Sequence, residues 1–102
     1  MRKIKNGDTV NICGVPHKIL LLEENFTAGD THFGEIEYTK AEIRINATLP
    51  DALLWQTLCH EWLHGALVIQ GHPDQAQDEQ LVQALASAMA QTFQLKEADH
   101  NA

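Results

Sequence analysis

The chain has 102 residues, a formal charge of -7 at pH 7 and 44% hydrophobic residues, enough for one domain whose core needs no disulfide or metal staple. Its 14 acidic against 7 basic side chains exclude a nucleic-acid surface, which demands a Lys/Arg stripe. Cys13 and Cys59 make no disulfide framework, no apolar run approaches a membrane span, and none of signal-peptide length follows Met1-Arg2-Lys3-Ile4-Lys5, so the expectation is a cytoplasmic protein with no membrane partner.

Residues 1–46 read as the β-sheet part. Thr9-Val10-Asn11-Ile12-Cys13 and His17-Lys18-Ile19-Leu20-Leu21-Leu22 predict two strands about a tight turn at Gly14-Val15-Pro16. Residues 25–34, rich in Gly, Asp, Thr and Asn, read as loop. Over 34–46, Ile36, Tyr38, Ile43 and Ile45 alternate with polar residues around a break at Thr39-Lys40-Ala41. That pattern predicts a second strand pair or one long bent strand. An exposed edge from Tyr38 to Ile45 would accept an extended peptide by strand addition.

At Thr48-Leu49-Pro50-Asp51 the period changes. Proline suits the first helical turn, and Asp51 complements the dipole there. Leu53, Leu54, Thr57, Leu58, Leu63, Leu67 and Val68 recur at helical spacing up to Gly71, a stop signal, which predicts a helix over 50–71. After His72-Pro73-Asp74, a second helix is expected over 75–96 on a spine of Leu81, Val82, Leu85, Met89 and Phe93, with residues 97–102 a polar tail. The Ala-rich second helix permits close packing on the first. The fold class is a single α+β domain, an antiparallel or mixed sheet of about three to four strands on two C-terminal helices.

On the first helix, His60-Glu61-Trp62-Leu63-His64 spells H-E-x-x-H. Residues four apart share a helical face, so both imidazoles can converge on one metal ion. Glu61 falls on the adjoining flank, where it reaches water at the metal and serves as general base. Cys59 lies about 100° round from His60 and reads as core, and Trp62 as a core anchor. A catalytic zinc takes three protein ligands, so one more is required. Leu67 and Gln70 stand where the extended pattern H-E-x-x-H-x-x-G-x-x-H has glycine and histidine. His72 is a weak candidate, better placed as a helix-end residue. Asp74, Asp78 and Glu79 are acidic near the second helix start; on a helical wheel Asp78 falls mid-face and Glu79 at its edge, so position alone does not choose. Helix N-termini favour acidic residues in any case.

Ile43-Arg44-Ile45-Asn46-Ala47-Thr48-Leu49, followed by Gln56-Thr57-Leu58-Cys59-His60-Glu61-Trp62-Leu63-His64-Gly65-Ala66-Leu67, resembles the ImmA/IrrE family of small zinc metallopeptidases. There an I-x-I-N-x-x-L strand end precedes a T-[IL]-[AC]-H-E-x-x-H-x-[AL]-L helix. The next helix carries E-x-x-A-N-x-F-A, whose glutamate is the third ligand. Glu79-Gln80-Leu81-Val82-Gln83-Ala84-Leu85-Ala86 is similar to that register, with Val82 for alanine, Gln83 for asparagine and Leu85 for phenylalanine. The compact format is also similar to the minigluzincins. Both resemblances imply a zincin-like core with Glu79 as third ligand and Zn2+ as cofactor. The ImmA/IrrE resemblance further implies an intracellular regulatory protein as substrate.

The expected activity is peptide hydrolysis, with Glu61 taking a proton from water and returning it to the leaving amine. Tyr38 is the first candidate for the oxyanion donor, followed by His72, His32 and His17. The alternative is a non-catalytic binding or regulatory protein that retains the zinc site. A metal-free structural domain is the third reading.

Overall fold

A computed structural model describes residues 2–23 and 33–95. Most of the 25–34 segment with His32, Lys96 at the end of the expected second helix, and the 97–102 tail lie outside the described residues.

β1 (Thr9–Ile12) and β2 (Val15–Leu22) form an antiparallel hairpin. Its turn is Cys13-Gly14, both at positive φ (51° and 89°), and Asn11 Oδ1 accepts the Gly14 N–H at 2.6 Å. Two positive-φ residues match the twist of paired strands, so β2 starts at Val15, earlier than the residue pattern suggests. Pro16 lies opposite Asn11, before pairing with the next strand begins at Lys18, and its missing N–H interrupts no ladder there.

β3 (Gly34–Glu37) and β4 (Glu42–Asn46) are separate antiparallel strands, so the pair expected over 34–46 is realised. The sheet order is β1-β2-β4-β3, with β2 and β4 parallel. β4 is therefore interior, and among the described residues β3 is the edge strand on this side. An exposed edge running on to Ile45 is thus corrected: Ile45 pairs with both Leu21 and Gly34.

α1 (Asp51–Ile69) crosses one face of this sheet. Ile12, Ile19, Ile43 and Ile45 from the strands pack with Leu54 and Leu58 from the helix. At Gly65 the contact is so close that a Cβ would stand 2.9 Å from Ile36 Cδ1 and 3.0 Å from Ile12 Cδ1. The helix ends as its glycine predicts. Gly71, at φ 85°, gives its N–H to the Val68 carbonyl, and His72 gives its own to Leu67, the paired bonds of a left-handed helix stop.

The single second helix expected over 75–96 is two elements: α2 (Pro73–Ala76) and α3 (Glu79–Thr92). Asp78 makes the break. Its side chain accepts the Leu81 N–H at 3.1 Å as the N-cap of α3, because a short carboxylate competes for backbone donors and starts a helix better than it continues one. Val82 and Ala86 are fully buried against Cys59 and Leu63 of α1, while Leu81 and Leu85 of the expected spine are exposed at 39% and 41%. The small Ala86 lets the two helices approach closely, and the Cys59 thiol, as expected, is core, pushed up to about 11 by burial. Trp55 Nε1 donates to the Ala90 and Phe93 carbonyls at 3.0 and 3.2 Å, occupying acceptors that the end of α3 leaves open. Trp62 anchors the other side through Nε1 to the Asn11 carbonyl at 2.9 Å.

Candidate metal centre

One turn of α1 separates His60 from His64, and their Nε2 atoms lie 3.1 Å apart. Glu79, the first residue of α3, reaches both. Its Oε2 is 3.1 Å from His60 Nε2 and its Oε1 is 3.2 Å from His64 Nε2. These three residues form a cluster able to hold a metal ion. Of the two acidic candidates left open by position, Glu79 joins the histidines and Asp78 is engaged in capping. His72 is exposed outside the cluster, so among the described residues no fourth ligand closes the site.

The outward side of the His60 imidazole is also held: Nδ1 is 2.9 Å from Gln83 Oε1. A carbonyl oxygen only accepts, so this ring carries its proton on Nδ1 and presents Nε2 as a lone pair. Burial, and secondarily His60, hold His64 below its usual range, against the opposing pull of Glu79 and Ala76. Two imidazole nitrogens and a carboxylate thus converge on one point, a set of donor atoms suited to a cation. Tetrahedral zinc with bonds of about 2.0–2.1 Å places its ligand atoms roughly 3.3 Å apart, close to the 3.1–3.2 Å found here. The donor set fits a divalent ion such as Zn2+.

Glu61 turns to the other flank and is 7% exposed. Burial first, then the carboxylates of Glu79 and Glu35, push its carboxyl up to about 7. β3 rests directly on this turn of α1. A Cβ at Gly34 would be 2.8 Å from Thr57 Cγ2 and 3.5 Å from Glu61 Cγ, so only glycine lets the strand lie so near. Gly34, Gln56, Thr57, His60, Glu61 and Glu79 line one cleft of about 290 Å3.

Tyr38 lies just beyond β3, in the turn to β4, and not on a strand. With His64, Val68, Pro73 and Glu79 it lines a second cleft of about 340 Å3 on the far side of Glu79. Burial and the nearby Glu61 carboxylate raise its hydroxyl above the usual range, so it stays a donor. His17 is buried in β2 with Nδ1 2.9 Å from the Val15 carbonyl oxygen, outside the metal cluster. The sequence reading gave no role in this site to Gly34 or to Gln83, which it named only as standing for the asparagine of the resembled motif. Gln83 also stands four residues after Glu79, on the same helical face.

Comparison of the chain with models of protein families, with curated proteins and with solved structures finds no match. Among the described residues, no helix is long and apolar enough to cross a membrane.

Proposed function

We propose that this chain is a zinc-dependent metallopeptidase with a zincin-like core, similar to the ImmA/IrrE peptidases, acting in the cytoplasm on a regulatory protein. The observation that carries the reading is the convergence of His60, His64 and Glu79 on one point, next to a cleft that His60 and Glu79 line together with the buried Glu61. His60, His64 and Glu79 would hold the ion, which when bound supplies Lewis-acid polarisation of a carbonyl and lowers the pKa of water toward neutrality.

The protein's own groups do the rest. Glu61 accepts the proton of the attacking water and delivers it to the amine that leaves. The Tyr38 hydroxyl donates to the oxygen on which charge develops. β3 supplies the binding edge. The Asn46 N–H reaches the Phe33 carbonyl, and Gly34 is opposite Ile45. Alternation along an antiparallel ladder then turns the backbone groups of Gly34 and Ile36 away from β4, toward a side where no described strand pairs with them and an extended peptide would. A structural zinc site is closed by four protein ligands and has no use for a further buried carboxylate beside them. That argues for hydrolysis over a purely binding role.

The test is zinc content of the purified protein with turnover of a denatured-protein substrate, for the wild type and for Glu61→Gln. Stoichiometric zinc in both, with cleavage only in the wild type, is expected. Zinc with no cleavage by the wild type favours the non-catalytic alternative, and no zinc after reconstitution rejects the reading.

A further inference from the structure

We propose that Glu35 and Glu37 select substrates with basic side chains at two alternate positions (i and i+2) of the segment that pairs with β3. This rests on the proposed function and names the substrate class for the same site.

The register of the sheet decides which side chains an added strand meets. Gly34 and Ile36 face α1: a Cβ at Gly34 would stand 2.8 Å from Thr57 Cγ2, and Ile36 packs against the core. Side chains alternate along a strand, so Glu35 and Glu37 lie on the opposite face, where both bond Arg44. The backbone alternates as well. The Asn46 N–H donates to the Phe33 carbonyl, which makes Glu35–Arg44 and Glu37–Glu42 the hydrogen-bonded pairs with β4. An antiparallel strand added to the other side of β3 bonds to Gly34 and Ile36 instead. Its residues opposite Glu35 and Glu37 then fall at non-hydrogen-bonded positions, where Cα atoms come within about 4.5 Å and side chains are closest.

The charge at those positions is acidic. One guanidinium serves three carboxylates: Arg44 bonds Glu35 at 2.9 Å and Glu37, and stands 3.5 Å from Glu42. Lys40 is 3.7 Å from Glu37, with its side chain 63% exposed. Glu35 and Glu37 keep 43% and 35% of their side-chain surface accessible, so a further cation can reach them. A lysine or arginine opposite either one makes a cross-strand ion pair, whereas an acidic residue there meets like charge. The chain's net charge of -7 also draws cationic peptides toward it. The residue between the two basic positions turns the other way, toward α1, the helix that carries His60, Glu61 and His64.

The experiment measures kcat and KM of the zinc-loaded protein on short neutral peptides in which a Lys-x-Lys, Gln-x-Gln or Glu-x-Glu triplet is scanned along the sequence. Wild type, Glu35→Gln, Glu37→Gln and the double variant are compared. Ratios between peptides within one protein cancel any loss of folded or zinc-loaded chain, and any change of rate through Glu61, which Glu35 also influences. The expected result is a preference for Lys-x-Lys over Gln-x-Gln of roughly 4- to 25-fold, about 2- to 5-fold for each position. It is carried by KM and shrinks in high salt, with Glu-x-Glu the poorest. Each single variant loses its share and the double variant loses the preference. A wild type that cleaves the three triplets alike, or a preference that survives in the double variant, overturns the proposal and leaves the peptidase reading standing. A wild type that cleaves none of them rejects that reading and the proposal with it.

Discussion

Glu61→Gln should stabilise the metal-free protein at alkaline pH and do nothing for it in acid. The carboxyl rises from 4.5 to about 7 on folding, mainly through burial, a shift worth on the order of 3 kcal/mol. Because the folded value lies above the unfolded one, the native state favours the protonated acid. Its contribution is fully present below 4.5 and disappears as pH rises through about 7. Glutamine matches the shape and carries no charge, so it escapes that loss. The assay is thermal or urea unfolding of both proteins in chelator, at about pH 5 and about pH 8. A variant advantage on the order of 10 °C is expected at the higher pH, shrinking toward zero at the lower one. Added zinc should narrow the gap, since a cation beside Glu61 favours its charged form. Parallel pH profiles for the two proteins would refute the burial argument.

Substituting alanine for His60, His64 or Glu79 should abolish both copurified zinc and the melting gain from added zinc, which approaches 4 kcal/mol at about 1,000 times Kd. Asp78→Ala should keep the zinc and cost about 1 kcal/mol in urea unfolding, as expected for a lost helix cap. Gly34→Ala should destabilise by about 1–3 kcal/mol through overpacking on Thr57; Thr57→Ser in the same chain, which removes the methyl 2.8 Å away, should recover part of it in the same melt. Tyr38→Phe should lower kcat by about 100-fold or more with zinc content unchanged, and an unaltered kcat would remove Tyr38 from the chemistry.

Much of the site was legible because its signals are local. The period of α1, its glycine stop and the spacing of His60 and His64 follow from helix geometry within one element. Glu79 followed only from the family resemblance, since the choice over Asp78 depends on where α3 starts. That start is set by a side-chain hydrogen bond that a helical wheel cannot represent. The parallel pairing of β2 with β4 was not legible either, since alternation says which face a residue occupies and nothing about its neighbour strand. The spine of α3 was misread in part. Val82 and Met89 do pack toward α1, but Leu81 and Leu85 are exposed, because the groove beside Cys59 and Leu63 takes the smaller Val82 and Ala86.

The ligands and their partners, from His60 to Gln83, come from one short helical hairpin closed by the connection through α2. The β3 edge over Glu61 depends on pairing with β4, and β4 in turn on β2 across the crossover. His60 to Glu79 and Lys18 to Glu42 close loops of similar length, so loop-closure entropy favours neither half. The ligand cluster and the strand edge are nonetheless held by different stretches of chain that meet where Gly34 lies on Thr57 and Glu61. A lesion in the sheet would lose the edge and spare the ligands.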